Sequence, residues 1–486
     1  MIAFGRVKPY LFSISYVVIL ILSFLTNWHI ALVLSLMITL IIQILDKLGK
    51  GIVLREMVAL FSNFITVAMP LLGYLVYNIH NSQARLWKRY MPVPEDVYFG
   101  YALPAGILFT LAITWPFASS VTDEGAGLRN LLKRARQQLQ ANPKAGMYLI
   151  VVGLIMFAIN GFLPGPLRFV GTLFYFSAFA GVLYIYFTPK FPRKKLLLSL
   201  FGAFVVGNAI VGGMFTLVAY MGMTLFSFFF IGRKTSFFKK VLAFFAGAFL
   251  LILIQSVKHT YRQFIWTQPY EGSKALLFTN LMVDRVSNLR ELFTPDAFFI
   301  VYYRSNQGYN VSMVMRRFPR VVPHDNGSRL SLSLAAALVP RLFWPDKPEA
   351  GGRANMKYYT GMTIRRWSTN VGPLGEAYAA FGVTGGIVFM FLLGLFLRFF
   401  YRRVFVIGKK MPLLIFWIPV LFYQTTYSAE SDTLQILNSL FKSALFIWML
   451  SRVKPEWFGI VKKNFLRRAA FRPVNKPETV INEPGI

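Results

Sequence analysis

Between Arg304 and Glu376 the chain brings together the side chains best suited to phosphate and sugar chemistry. Arginines recur at Arg316, Arg317, Arg320, Arg341, Arg353, Arg365 and Arg366, with Trp344 and Trp367 among them. Across residues 258–380 there are twelve Arg against four Lys and eight acids. Guanidinium is favoured over ammonium where planar, two-pronged binding of phosphate or carboxylate is needed. Indole rings nearby can stack on sugars or sit at a membrane interface. The acid–base candidates are few: His324 and Asp325 in VPHDNG, and Glu376 in GPLGEAYAAFG. A metal-free transfer that stabilises a departing diphosphate with arginines and takes a hydroxyl proton with Glu376, or with His324 and Asp325, fits this set. The same residues could serve plainer ends: solvated arginines, a surface-turn His324, and a Glu376 that merely complements a helix dipole.

The remainder of the chain must position that stretch, and its composition says how. Of 486 residues 56% are apolar, 17% aromatic and only 15% charged. The apolar residues come in runs long enough to span a bilayer, so the expected class is an all-α polytopic membrane protein. A net charge of +33 then points first to cytoplasmic loops and anionic lipid rather than to nucleic acid. With no cysteine, disulfides, thiolate metal sites and cysteine nucleophiles are excluded. Only His29, His80, His259 and His324 remain as imidazole ligands, so neither a metal nor a cofactor is expected.

About twelve spans can be placed, at 9–25, 28–45, 56–77, 97–116, 147–163, 168–188, a hairpin within 196–231 broken at Asn208–Gly213, 241–257, 383–400, 412–427 and 433–450. The first run is expected to stay as a helix, and both termini to be cytoplasmic. Asp46, Lys47, Lys50 and Arg55 mark an inner connection, as do Arg402, Arg403, Lys409 and Lys410. Spans one to nine occupy 1–257, with a basic cytoplasmic segment at 118–145 whose part 128–144 reads as an amphipathic surface helix. The arginine-rich loop takes 258–381, spans ten to twelve take 382–451, and a basic tail takes 452–486. Inside the loop, Leu276, Leu277, Leu281, Val286, Leu289 and Leu292 can share one helical face, and Ser328–Val339 is too short to span and reads as an interfacial or re-entrant helix. The spans carry almost no charge, Lys442 being the clearest case.

PRLFWPDKP at 340–348, GPLGEAYAAFGVTGG at 372–386 and the overall layout resemble the Wzy-type oligosaccharide repeat-unit polymerases of O-antigen and exopolysaccharide, and more distantly the O-antigen ligases. The resemblance implies a multi-pass protein of the bacterial inner membrane. It implies polymerisation of undecaprenyl-diphosphate-linked repeat units at the outer face, with loop arginines essential and no metal. Donor and acceptor lipid-linked glycans would be its partners, with a chain-length regulator or export complex beside them. An Arg-x10-Gly pattern of those polymerases can be placed at Arg316 to Gly327 and at Arg341 to Gly352. A ligase pattern is half met by Asn370, Glu376, Gly382 and Gly385, with Thr369 where a ligase carries His. A flippase or transporter for lipid-linked glycans, a ligase, and a structural export subunit are the rival readings.

Overall fold

The structure, a computed structural model, describes residues 27–460 other than 78–80, 119–120, 268–269, 340–342, 349–351 and 365–368, with a few isolated positions before 27. Among the described residues every named element is helical. Nine of the described helices are long and apolar enough to cross a membrane, which makes this an all-α membrane protein. The expected span 9–25 lies mostly outside the described residues, as do residues 461–486 of the tail.

The first half forms α1 (Trp28–Lys47), α2 (Leu54–Val76), the short α3 (Ala84–Tyr90), α4 (Glu95–Thr114), α5 (Gly125–Ala141), α6 (Ala145–Ile159), α7 (Gly165–Phe187), α8 (Lys194–Gly212), α9 (Thr216–Phe230) and α10 (Phe237–Thr267). The Asn27 side chain caps α1 by accepting from Ile30 N–H at 3.0 Å. In α5, Leu128, Leu131, Leu132, Ala135 and Leu139 are buried at helical spacing, as expected of a surface helix with one apolar face. The expected break after Asn208 falls at Gly213, where Arg262 Nε donates to the Gly213 carbonyl at 2.8 Å.

Two departures from the expected boundaries bear on the stretch 258–381. α10 runs on to Thr267, past the expected end at 257, so Lys258, His259 and Arg262 continue a helix. In α2, residues Phe64–Ala68 widen into a π turn. The freed carbonyls are used: Ile65 O accepts from Gln307 N–H at 3.0 Å, and Thr66 O from the Tyr98 hydroxyl at 2.6 Å.

The expected loop is a succession of helices folded onto that core: α11 (Lys274–Ser287), the single turn α12 (Leu289–Leu292), α13 (Pro295–Ser305), α14 (Gly308–Arg317), α15 (Ser328–Leu338) and α16 (Arg353–Thr360). The single leucine face expected over 274–293 is divided. Leu277 and Leu281 pack beside Phe215 and Tyr261, Leu292 is buried, and Leu276 and Val286 face outward. The physical reason is that α11 ends at Ser287, so the later leucines start a new direction. α15 has the length expected of a non-spanning helix; its Ala336 and Ala337 pack on Leu434 and Leu437, while Leu332, Leu334 and Leu338 face outward.

The last part comprises α17 (Gly372–Gly408), a buried irregular stretch from Pro412 to Glu430 enclosing α18 (Ile418–Phe422), and α19 (Thr433–Val453). The expected span 412–427 is therefore two 3-10 stretches around one short α-helix. Pro412 and Pro419 each remove a backbone donor. Non-helical backbone of this kind belongs where protein encloses it, and Leu413 through Phe422 are all buried.

Candidate functional site

α17 and α19 start side by side, and the buried carboxylates Glu376 and Asp432 lie at these N-terminal ends. Asp432 precedes α19 and accepts from Gln435 N–H at 2.6 Å, a helix cap that Asp-x-x-Gln spacing favours. Glu376, in the second turn of α17, reaches across to accept the Thr433 N–H through Oε2 at 2.8 Å. One helix N-terminus thus holds two acids, Glu376 at 3% and Asp432 at 1% exposure. The close approach of the elements requires Gly372, at φ +71°, where a Cβ would lie 2.3 Å from the Ala429 carbonyl.

From the carboxylates a chain of contacts leads outward. Asn355 Nδ2 donates to Asp432 Oδ2 at 3.0 Å, and Arg329 Nη2 donates to Asn355 Oδ1 at 3.1 Å. The Arg329 guanidinium lies over the Tyr358 ring, 4.1 Å from its centre. Arg317 reaches the same residue from α14, Nε donating to the Tyr358 carbonyl at 2.9 Å. The Tyr358 hydroxyl in turn faces Asp325 Oδ2 at 3.4 Å. Burial pushes the neighbouring Tyr359 hydroxyl far up, and the nearby Glu376 carboxylate pushes it further. Arg316, Arg320 and Arg353 are exposed. Among the described residues none of Arg316, Arg317, Arg320, Arg329 and Arg353 forms an ion pair with an acid.

The sequence-based candidates therefore separate. Glu376 is at the centre, but buried rather than at an open interface. His324 Nδ1 donates to the Ala379 carbonyl, 3.1 Å away, and its ring stacks on Phe318 and abuts Tyr378. It fills the bend of α17 at Gly382, whose φ of +68° only glycine adopts readily. Asp325 accepts from Gly327 N–H at 3.0 Å and holds the same turn. These two residues are engaged in folding the turn at 324–327 onto α17. Trp344 packs against the α15–α19 contact rather than standing open. Arg341, Arg365, Arg366 and Trp367 lie outside the described residues.

Sequence reasoning missed Arg329, Asn355, Tyr358 and Asp432. Arg329 lies at the head of the apolar run at Ser328–Val339 and was absorbed into it. Asp432 had a usable signal, the Asp-Thr-Leu-Gln cap box before an apolar helix.

A second charged group sits at the far ends of α1 and α2. Lys47 Nζ donates to Glu56 Oε1 at 3.0 Å and to Asp123 Oδ2 at 2.7 Å, and Arg55 Nη2 meets Asp123 Oδ2 at 3.0 Å. All four side chains are buried. Arg55 Nη1 also donates to the Ile113 and Trp115 carbonyls, at 3.1 and 2.9 Å, closing the end of α4. Three of these charges lie in or beside the expected connection between the spans 28–45 and 56–77. Lys47, Arg55 and Glu56 are accommodated there because each finds an opposite charge, and Glu376 because a helix N-terminus receives it.

Fold and site together define a helical membrane protein in which a set of arginines stands next to buried carboxylates. The chain belongs to the family described as a domain of unknown function, DUF8712, whose model matches residues 128–407. That stretch runs from α5 to the end of α17 and includes Arg317, Arg329, Asn355 and Glu376, while Asp432 follows it. No curated protein and no solved structure matches the chain.

Proposed function

We propose that this protein polymerises lipid-linked oligosaccharide repeat units by metal-independent glycosyl transfer at the outer face of the bacterial inner membrane. In this reading the chain has twelve spans, both termini are cytoplasmic, and residues 258–381 face outward. The observation that carries it is the set of arginines outside any ion pair around Tyr358, joined through Arg329 and Asn355 to Glu376 and Asp432. Arginines without acidic partners are ready for a polyanion, and a diphosphate leaving group is one.

The step is a displacement at the sugar's anomeric carbon. The acceptor hydroxyl oxygen forms the new glycosidic bond, and the bond from the anomeric carbon to the undecaprenyl diphosphate breaks. The diphosphate keeps that electron pair and is held by Arg317, Arg329 and the exposed Arg316, Arg320 and Arg353, with Arg341, Arg365 and Arg366 in the same role. Glu376 takes the hydroxyl proton, and Trp344 and Trp367 contact sugar. Deleting the gene in the host tests this. Single repeat units on surface lipid support polymerisation, and unattached polymer means a ligase instead.

One feature favours a second reading, transport of the lipid-linked glycan. Asn63, Thr66, Gln424, Thr425, Thr426 and Ser428 are buried polar residues where α2 and the irregular stretch before α19 meet. Interrupted helices with polar linings also build transport paths. Lipid-linked units accumulating on the inner leaflet of the deletion strain would decide for it.

A further inference from the structure

The turn from Glu430 to Thr433 has a second side. There Glu430 Oε2 accepts from the Tyr220 hydroxyl at 2.7 Å, and a group of cations gathers that the transfer reading does not use. α10 contributes Lys258 and Arg262, one helical turn apart and on one face. α13 contributes Arg304 from its last turn. The three are close enough to repel one another, with Glu430 the acid facing Lys258, and His259 also feels Arg304. Three cations against one acid that is already hydrogen-bonded leave an excess of positive charge. Like charges one turn apart destabilise a helix unless something offsets them.

The arginines are also preset for an anion with several acceptor oxygens. Arg262 is fixed by its Nε bond to Gly213 and by the Trp266 ring, 4.2 Å from the guanidinium. Arg304 Nε is buried and has no hydrogen-bond partner, an arrangement that costs free energy until an acceptor arrives. The depth of the group identifies what brings the anion. α10 has 31 residues, so it is about 46 Å long and outruns a hydrocarbon layer of about 30 Å. Its apolar part exposes Phe238, Leu242, Phe245 and Leu250 in the manner of a lipid-facing helix, and Phe264 and Trp266 are exposed beside the cations.

We propose that Lys258, Arg262 and Arg304 form an anion pocket for the phosphate of a membrane lipid, at headgroup level and separated from the Arg329–Glu376 site by the 430–433 turn. The pocket does not depend on the transfer reading. Full-length protein in detergent, examined by native mass spectrometry with polyprenyl phosphate, uncharged polyprenol and inorganic phosphate, tests it. The Arg316→Ala/Arg320→Ala/Arg353→Ala protein serves as background, so that the exposed arginines of the other site do not contribute. That protein is expected to retain polyprenyl phosphate and not polyprenol. Adding Arg304→Ala or Lys258→Ala should weaken binding about tenfold or more. Arg304→Lys, with an unchanged melting temperature, should weaken it less. Equal binding with and without Arg304→Ala overturns the proposal. So does inorganic phosphate binding as tightly as the lipid, which would make this a pocket for a soluble anion. If lipid binding behaves as expected while glycan polymerisation is absent, only the transfer reading fails.

Discussion

The two buried charge groups of this protein are built on opposite plans. At one end, Lys47, Arg55, Glu56 and Asp123 neutralise one another through direct contacts of 2.7 to 3.0 Å. At the other, Glu376 is met by a backbone N–H, and Arg329 stops at Asn355. Among the described residues the outer arginines make no ion pair, although acids are close by. A group whose charges are already matched has nothing left to offer a ligand and serves to lock the fold. A group in which cations and carboxylates are held apart keeps both available. The first plan is structural, and the second is what transfer chemistry requires.

That contrast can be broken by experiment. The largest effect is expected from Asp123→Ala. It leaves Lys47 and Arg55 without their shared partner, and removing one member of a buried pair costs about 3–5 kcal/mol. Loss of folded protein on size-exclusion chromatography is the expected result, and wild-type melting behaviour would show that the lock is not one. Next comes Glu376→Gln, which keeps an acceptor for Thr433 N–H and should leave the melting temperature nearly unchanged. Polymer formation should fall about a hundredfold or more, as for loss of a general base. Arg329→Lys should lower transfer about tenfold, because ammonium lacks the planar fork that spans Tyr358 and Asn355, and kinetics with lipid-linked substrate would measure it. Arg320→Ala, an exposed change, should shift stability by no more than about 0.5 kcal/mol.

The inner lock also has a pH signature. Burial alone would raise the Asp123 carboxyl, but Lys47 and Arg55 outweigh it and hold the group below its ordinary 3.8. A depressed carboxyl stabilises the fold above its unfolded value and loses that contribution as pH falls through the folded one. Melting temperature should therefore carry no Asp123 dependence from pH 8 to 5. Below about pH 4 it should drop more steeply for wild type than for Asp123→Asn. Parallel curves at low pH would remove Asp123 from the account.

Much of this architecture was legible in the sequence because lipid imposes it. Long apolar runs, the hairpin break at Gly213 and the amphipathic α5 all follow from periodicity and glycine alone. Two features did not, for definite reasons. The span 412–427 has the hydropathy of a helix, yet Pro412, Pro419 and enclosure by aromatic neighbours turn it into 3-10 structure, and hydropathy does not register enclosure. Within the site, Glu376 was legible as an acid ahead of a span. The hydrogen-bonded pair Asn355 and Asp432 beside it stands 21 residues before it and 56 after it, and only the packing of α16 and α19 against α17 unites them. Lys47 and Arg55 carried the charge expected of an inner connection, but their pairing with Glu56 and Asp123 depends on the return of the chain at 123.

The most direct test is the surface glycan of a deletion strain complemented with either wild type or Glu376→Gln at equal membrane abundance. A ladder of polymer lengths with wild type and single repeat units with Glu376→Gln is the predicted outcome. A full ladder with Glu376→Gln would contradict the assignment of the outer site as the place of transfer.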